Sequence, residues 1–214
     1  MKKLLTIVLA ALMILCLGAC SNKTETVSEE TSVSENTEPA KEENVESSET
    51  QGKTETEGKV LVAYFSATGT TKGVAEKIAK LTGGDLYEIV PAEAYSDADL
   101  NWNDSNSRST KEQNDKSVRP GIGSETLDLS GYTTIYLGFP IWWGEEPRIL
   151  DTFVEKYSFD GITVIPFCTS GGSGIGRSGP NMEALAGSGT WLEGERFSAS
   201  VSESDLQSWI DELQ

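Results

Sequence analysis

Three short segments hold the residues whose types and spacing could do chemistry. Ser66-Ala67-Thr68-Gly69-Thr70-Thr71 sits between an apolar run, Val60 to Phe65, and a stretch in which Val74, Ala75, Ile78, Ala79 and Leu81 recur at helical spacing. Hydroxyls and free N–H groups at a helix start make an anion site that needs no side-chain charge. The loop is not a Walker sequence, because no Gly-Lys-Ser/Thr follows, and it is not the three-glycine dinucleotide turn. An ordinary helix cap is the competing reading.

The second segment, Pro140-Ile141-Trp142-Trp143-Gly144, places two adjacent tryptophans just beyond another apolar run. Indoles so placed expose large apolar area unless they pack into the core or something flat covers one of them. The third, Cys168-Thr169-Ser170-Gly171-Gly172-Ser173-Gly174, offers backbone that can approach a ring edge closely, or a plain turn. A monophosphate at one end, an aromatic clamp in the middle and backbone donors beyond together describe a flavin mononucleotide (FMN) site.

Composition narrows the alternatives. The 214 residues include no His, so imidazole-based triads and His-ligated zinc or haem are excluded. With 17 Lys+Arg against 34 Asp+Glu, a net charge of −17, the chain lacks the basic clusters that nucleic acid requires. Any bound anion must be held largely by backbone.

The elements that position these loops alternate. Strands are predicted at 60–65, 85–90, 132–139, 162–167 and 191–201, and helices follow at 74–81, 147–157, 177–187 and 202–213. Gly83-Gly84 ends the first helix, Pro147 opens the second, and Ser202-Glu203-Ser204-Asp205 offers capping groups to the last. Strand and helix in alternation mean an α/β fold, a doubly wound parallel sheet with helices on both faces, which binds ligands at the carboxyl ends of its strands. Residues 91–130 form a weak stretch. A helix within the polar segment 105–117 would bury little, Trp102 reads as a packing residue, and Cys168 reads as structural.

The charge divides the chain into three parts. Residues 1–20 start Met1-Lys2-Lys3 and continue apolar from Leu4 to Leu17, the form of a secretory signal too short to span a bilayer comfortably. Leu17-Gly18-Ala19-Cys20 resembles a bacterial lipobox, which implies a lipid on Cys20 and a protein anchored to the extracytoplasmic face of the cell membrane. Residues 21–58 carry three Lys and eleven Glu with no aromatics, and are predicted to be a disordered acidic tether. Residues 59–214 form the folded domain, with twelve basic and 23 acidic residues.

At the motif residues the domain resembles the flavodoxin family. Tyr64, Ser66, Gly69, Thr71, Ala75 and Ile78 fall on its phosphate-loop motif, while Ala63 stands where a bulkier apolar residue is usual. The segments 140–144 and 167–174 are similar to a bacterial branch more than to the short electron-shuttle flavodoxins. The resemblance implies a five-stranded sheet of order 2-1-3-4-5 in three α/β/α layers and non-covalent FMN. It implies that Ser66, Thr68, Gly69, Thr70 and Thr71 hold the phosphate, that Pro140, Ile141, Trp142, Trp143 and Gly144 flank the isoalloxazine, and that Thr169, Ser170, Gly171 and Gly172 line its far edge. The expected function is electron transfer to redox protein partners or small acceptors, with no catalytic side chain and no metal. An NAD(P)H- or quinone-linked FMN oxidoreductase and a flavin-free scaffold are the alternatives.

Overall fold

In the computed structural model, which describes residues 58–213, each apolar run becomes a strand and each amphipathic stretch a helix. The elements are β1 (Lys59–Tyr64), α1 (Thr70–Thr82), β2 (Asp85–Glu88), α2 (Arg108–Asn114), β3 (Tyr132–Pro140), α3 (Arg148–Lys156), β4 (Thr163–Thr169), α4 (Ser178–Ala186), β5 (Thr190–Trp191), β6 (Glu195–Phe197) and α5 (Glu203–Glu212). The expected signal segment and nearly all of the acidic tether lie outside the described residues. Among the described residues no helix is long and apolar enough to cross a membrane.

The strands run parallel in the order β2-β1-β3-β4-β5, with β6 also pairing with β4. Because side chains alternate across a strand, the central strands feed two cores. Leu61, Ala63, Ile135, Leu137 and Val164 face α3 and Met182 of α4, whereas Val62, Tyr64, Tyr136, Ile165 and Phe167 face α1 and α5. This is the doubly wound α/β arrangement expected, with strand order 2-1-3-4-5.

Two expectations need correction. The predicted strand 191–201 is two short strands, and the break between them falls opposite Pro166, which has no N–H to give the ladder. Gly194 sits there so close that a Cβ on it would meet the Pro166 carbonyl oxygen at 2.6 Å. The polar segment 105–117 contains α2, and it buries Ser109, Thr110, Glu112 and Gln113 despite having no apolar face. Hydrogen bonds take the place of apolar contact. The Ser109 hydroxyl donates to Asp99 O at 2.6 Å, Arg108 Nε donates to Glu112 at 2.7 Å, and the Arg108 guanidinium lies 4.0 Å from the centre of the Tyr95 ring. The whole excursion from β2 to β3 leaves and returns side by side, through Ala92 N to Gly121 O and Gly123 N to Val90 O.

Cys168 is part of the first core, where burial pushes its thiol up to about 12. The Cys168 thiol should therefore resist alkylation by iodoacetamide in mildly alkaline native protein, and react once guanidinium unfolds the chain, as read by mass spectrometry of its peptide. Gly138 lies beside Phe167 across the β3–β4 ladder, and a Cβ there would collide with the buried ring. Gly138→Ala should lower the unfolding free energy by about 1–3 kcal/mol, seen as a lower urea midpoint with an unchanged slope.

Candidate functional site

The parallel ladder brings the carboxyl ends of β1, β3 and β4 to one edge of the sheet. Phe65 N continues the β1–β3 pairing by donating to Gly138 O at 2.9 Å, and Ile141 N donates to Thr169 O at 3.0 Å. The three candidate loops thus leave the sheet as neighbours.

The first loop enters α1 through Gly69, whose φ of 83° places it in the left-handed region where glycine is unstrained. No side chain caps this helix start. Thr71 is buried, and its hydroxyl pairs with that of Thr169 at 2.8 Å, which ties the loop to the end of β4. Thr68 and Thr70 stay exposed, their hydroxyls 3.5 Å apart.

The second loop is a two-residue reverse turn. Trp142 N donates to Glu145 O at 2.9 Å and Glu145 N donates to Trp142 O at 3.1 Å, while Trp143 and Gly144 have φ of 50° and 84°. Positive φ at both central positions makes the turn primed, and an indole residue held there costs about 1–2 kcal/mol. Trp142 is fixed by edge contacts to Phe65 (centroids 5.5 Å apart) and Tyr95 (5.3 Å). Trp143 is 47% exposed.

A cavity of about 380 Å³ opens between these loops. Ser66, Ala67, Thr68 and Thr71 line one part of it, Pro140, Ile141, Trp142 and Trp143 another, and Leu100, Trp102 and Ser109 of the β2–β3 excursion complete it. None of these eleven side chains carries a formal charge. The arrangement offers hydroxyls and helix-start amides beside indole surface, a place for a flat ring bearing an anionic tail.

Ionisable groups sit behind the turn rather than in the cavity. Burial raises the carboxyls of Glu146 and Asp151, while hydrogen bonds from Arg148 and Lys116 hold that of Glu145 below its usual range.

Of the residues singled out from sequence, Ser66, Thr68, Thr71 and Pro140–Trp143 meet in the cavity. Gly69, Thr70, Gly144, Thr169, Ser170, Gly171 and Gly172 do not line it. Thr169 instead braces Thr71, and the loop beyond it folds on itself through a bond from the Ser170 hydroxyl to Ser173 O. Trp102 does not pack as expected. It is 73% exposed and lines the cavity, as Leu100 and Ser109 do. A signal for it was present, since Asn101-Trp102-Asn103-Asp104 surrounds the indole with polar residues that give it nothing to pack on.

The family model for flavodoxin matches residues 59–213. A candidate flavoprotein from Bacteroides eggerthii is 46% identical over 72% of this chain and 96% of its own, with a TM-score of 0.68. One from Bacteroides uniformis is 45% identical over 72% and 98%, with a TM-score of 0.69. A Lactobacillus acidophilus flavoprotein, solved in complex with FMN, is 24% identical over 72% and 99%, with a TM-score of 0.56, and adds likeness of fold. No curated protein matches the chain. An uncharged, hydroxyl- and indole-lined cavity at the carboxyl edge of a 2-1-3-4-5 sheet agrees with the matched family, and the chain belongs to the flavodoxin family.

Proposed function

We propose that the protein is an electron-transfer flavoprotein with FMN as its cofactor, tethered to the extracytoplasmic face of the membrane by a lipid on Cys20. The observation that carries the cofactor is the junction, in one uncharged cavity, of the Ser66–Thr71 loop with indole surface. Family membership supports the same ligand.

FMN, when bound, supplies transfer of one or two electrons, and the protein supplies position and electrostatics. Ser66 and Thr68, with the amides at the start of α1, would hold the phosphate without a cation. Thr71, held by Thr169, keeps the loop against the sheet. Trp142 and Trp143 would shield the ring system from water, with Trp142 braced by Phe65 and Tyr95. A domain this acidic disfavours further negative charge on the flavin and so lowers its potential, and it steers basic protein partners. Membrane tethering is supported by the sequence Leu17-Gly18-Ala19-Cys20 and by the acidic segment 21–58 that follows it in sequence.

The exposed Trp102 favours one alternative, a turnover enzyme that stacks a flat acceptor such as a quinone at the cavity mouth. Two measurements separate the readings. Protein loaded with FMN should oxidise NAD(P)H no faster than free FMN does, with or without a quinone, and its potentiometric titration should resolve two one-electron steps. Sustained quinone-dependent NAD(P)H oxidation would replace the carrier with the enzyme. Trp102→Ala should weaken FMN binding about three- to tenfold, the usual contribution of one aromatic contact, as measured by quenching of flavin fluorescence. A change confined to the KM for quinone would assign Trp102 to the acceptor.

A further inference from the structure

The excursion between β2 and β3 also contacts the turn that carries Trp143. Gln113, on α2, is 8% exposed and lines no part of the cavity. Its Nε2 donates to Trp142 O at 3.0 Å and to Glu146 O at 3.2 Å. Both neighbours are carbonyl oxygens, so only the NH2 end of the amide fits against them. These two carbonyls bracket the turn, one before Trp143-Gly144 and one after Glu145.

The same turn is held from α3. Arg148 Nη2 donates to Glu145 Oε2 at 2.7 Å and to the backbone oxygen of Gln113 at 3.4 Å, and Lys116 Nζ reaches Glu145 Oε1 at 3.0 Å. A bulky residue at a φ of 50° persists only where its surroundings over-determine it. Here the surroundings are the two carbonyl contacts of Gln113 and the charges on Glu145.

We propose that Gln113 is a positioning residue of the flavin site, clamping the Trp142–Glu145 turn so that the Trp143 indole stays at the cavity. The effect on FMN rests on the flavin reading above, whereas the clamp itself does not. Gln113 acts through Trp143, so removing its amide loosens the cofactor without touching it. The polar helix α2, which contributes little apolar burial, thereby gains a function at the site.

The test uses the full chain and a double-mutant cycle of Gln113→Leu with Trp143→Gly. Two readouts are followed: the indole N–H signal of Trp143 in the NMR spectrum, identified by its loss in Trp143→Gly, and the Kd for FMN. Gln113→Leu should shift or split the Trp143 signal and weaken FMN about tenfold, the scale of losing buried hydrogen bonds. In the Trp143→Gly background the same substitution should change the Kd less than about twofold, as expected for a residue acting through another. Lys80→Ala, which removes an exposed pair between α1 and α5 that touches neither the turn nor the cavity, should leave both readouts unchanged. Gln113→Asn, which withdraws the amide by one methylene, is read in the same way and serves if the leucine variant does not fold.

An unmoved Trp143 signal, or a full loss of affinity that persists in the Trp143→Gly background, would overturn the clamp. If the unaltered protein retains no FMN but Gln113→Leu still moves the Trp143 signal, the flavin reading fails and the clamp stands.

Discussion

The site depends on the register of three parallel strands. Tyr64 pairs with Gly138, and Gly138 with Phe167, so β1 ends level with Gly138 while β3 and β4 end together two residues further on, at Pro140 and Thr169, and all three release their loops at one edge. Parallel strands make this possible because every chain leaves the sheet at the same edge. The hydroxyl pair of Thr71 and Thr169 then fastens the first loop to the end of β4, 98 residues away in sequence. Without that register the hydroxyls, the indoles and the β4 turn would be unrelated surface features.

Electrostatics explain why the cavity has the lining it does. In a chain of net charge −17, cations are few, and two that stand behind the Trp143 turn are occupied. Arg148 is buried among Glu145, Glu146 and Asp151, and Lys116 is paired with Glu145. These contacts serve the back of the Trp143 turn. An anion in the cavity is left to backbone dipoles and hydroxyl donors, which bind without drawing a cation from the acidic surface. In the proposed electron-transfer role, the same acidity would steer basic partners and oppose added negative charge on a bound flavin.

Much of this was legible in the sequence for a definite reason. Buried parallel strands are continuous apolar runs, so Val60–Phe65 and Tyr132–Phe139 announce themselves, and the loops at their ends follow by position. The stretch from 91 to 130 was opaque because its order comes from side-chain hydrogen bonds, which have no period. Ser109 to Asp99 O, Arg108 to Glu112 and Gln113 to Trp142 O leave no trace in a hydropathy pattern. The β5–β6 break needed knowledge that Pro166 and Gly194 would meet. Trp102 was misread because packing is the usual fate of an indole, although its polar neighbours argued otherwise.

The central claim is that the Ser66–Thr71 loop and the neighbouring indoles form a single site for a phosphorylated flavin. Its most direct test compares FMN with riboflavin, which has the ring but lacks the phosphate. The full chain is mixed with each, desalted, and examined for flavin absorbance that stays with the protein. FMN should be retained and riboflavin held at least about tenfold more weakly, since only FMN engages the phosphate loop. Retention of neither flavin, or equal affinity for both, would contradict the account.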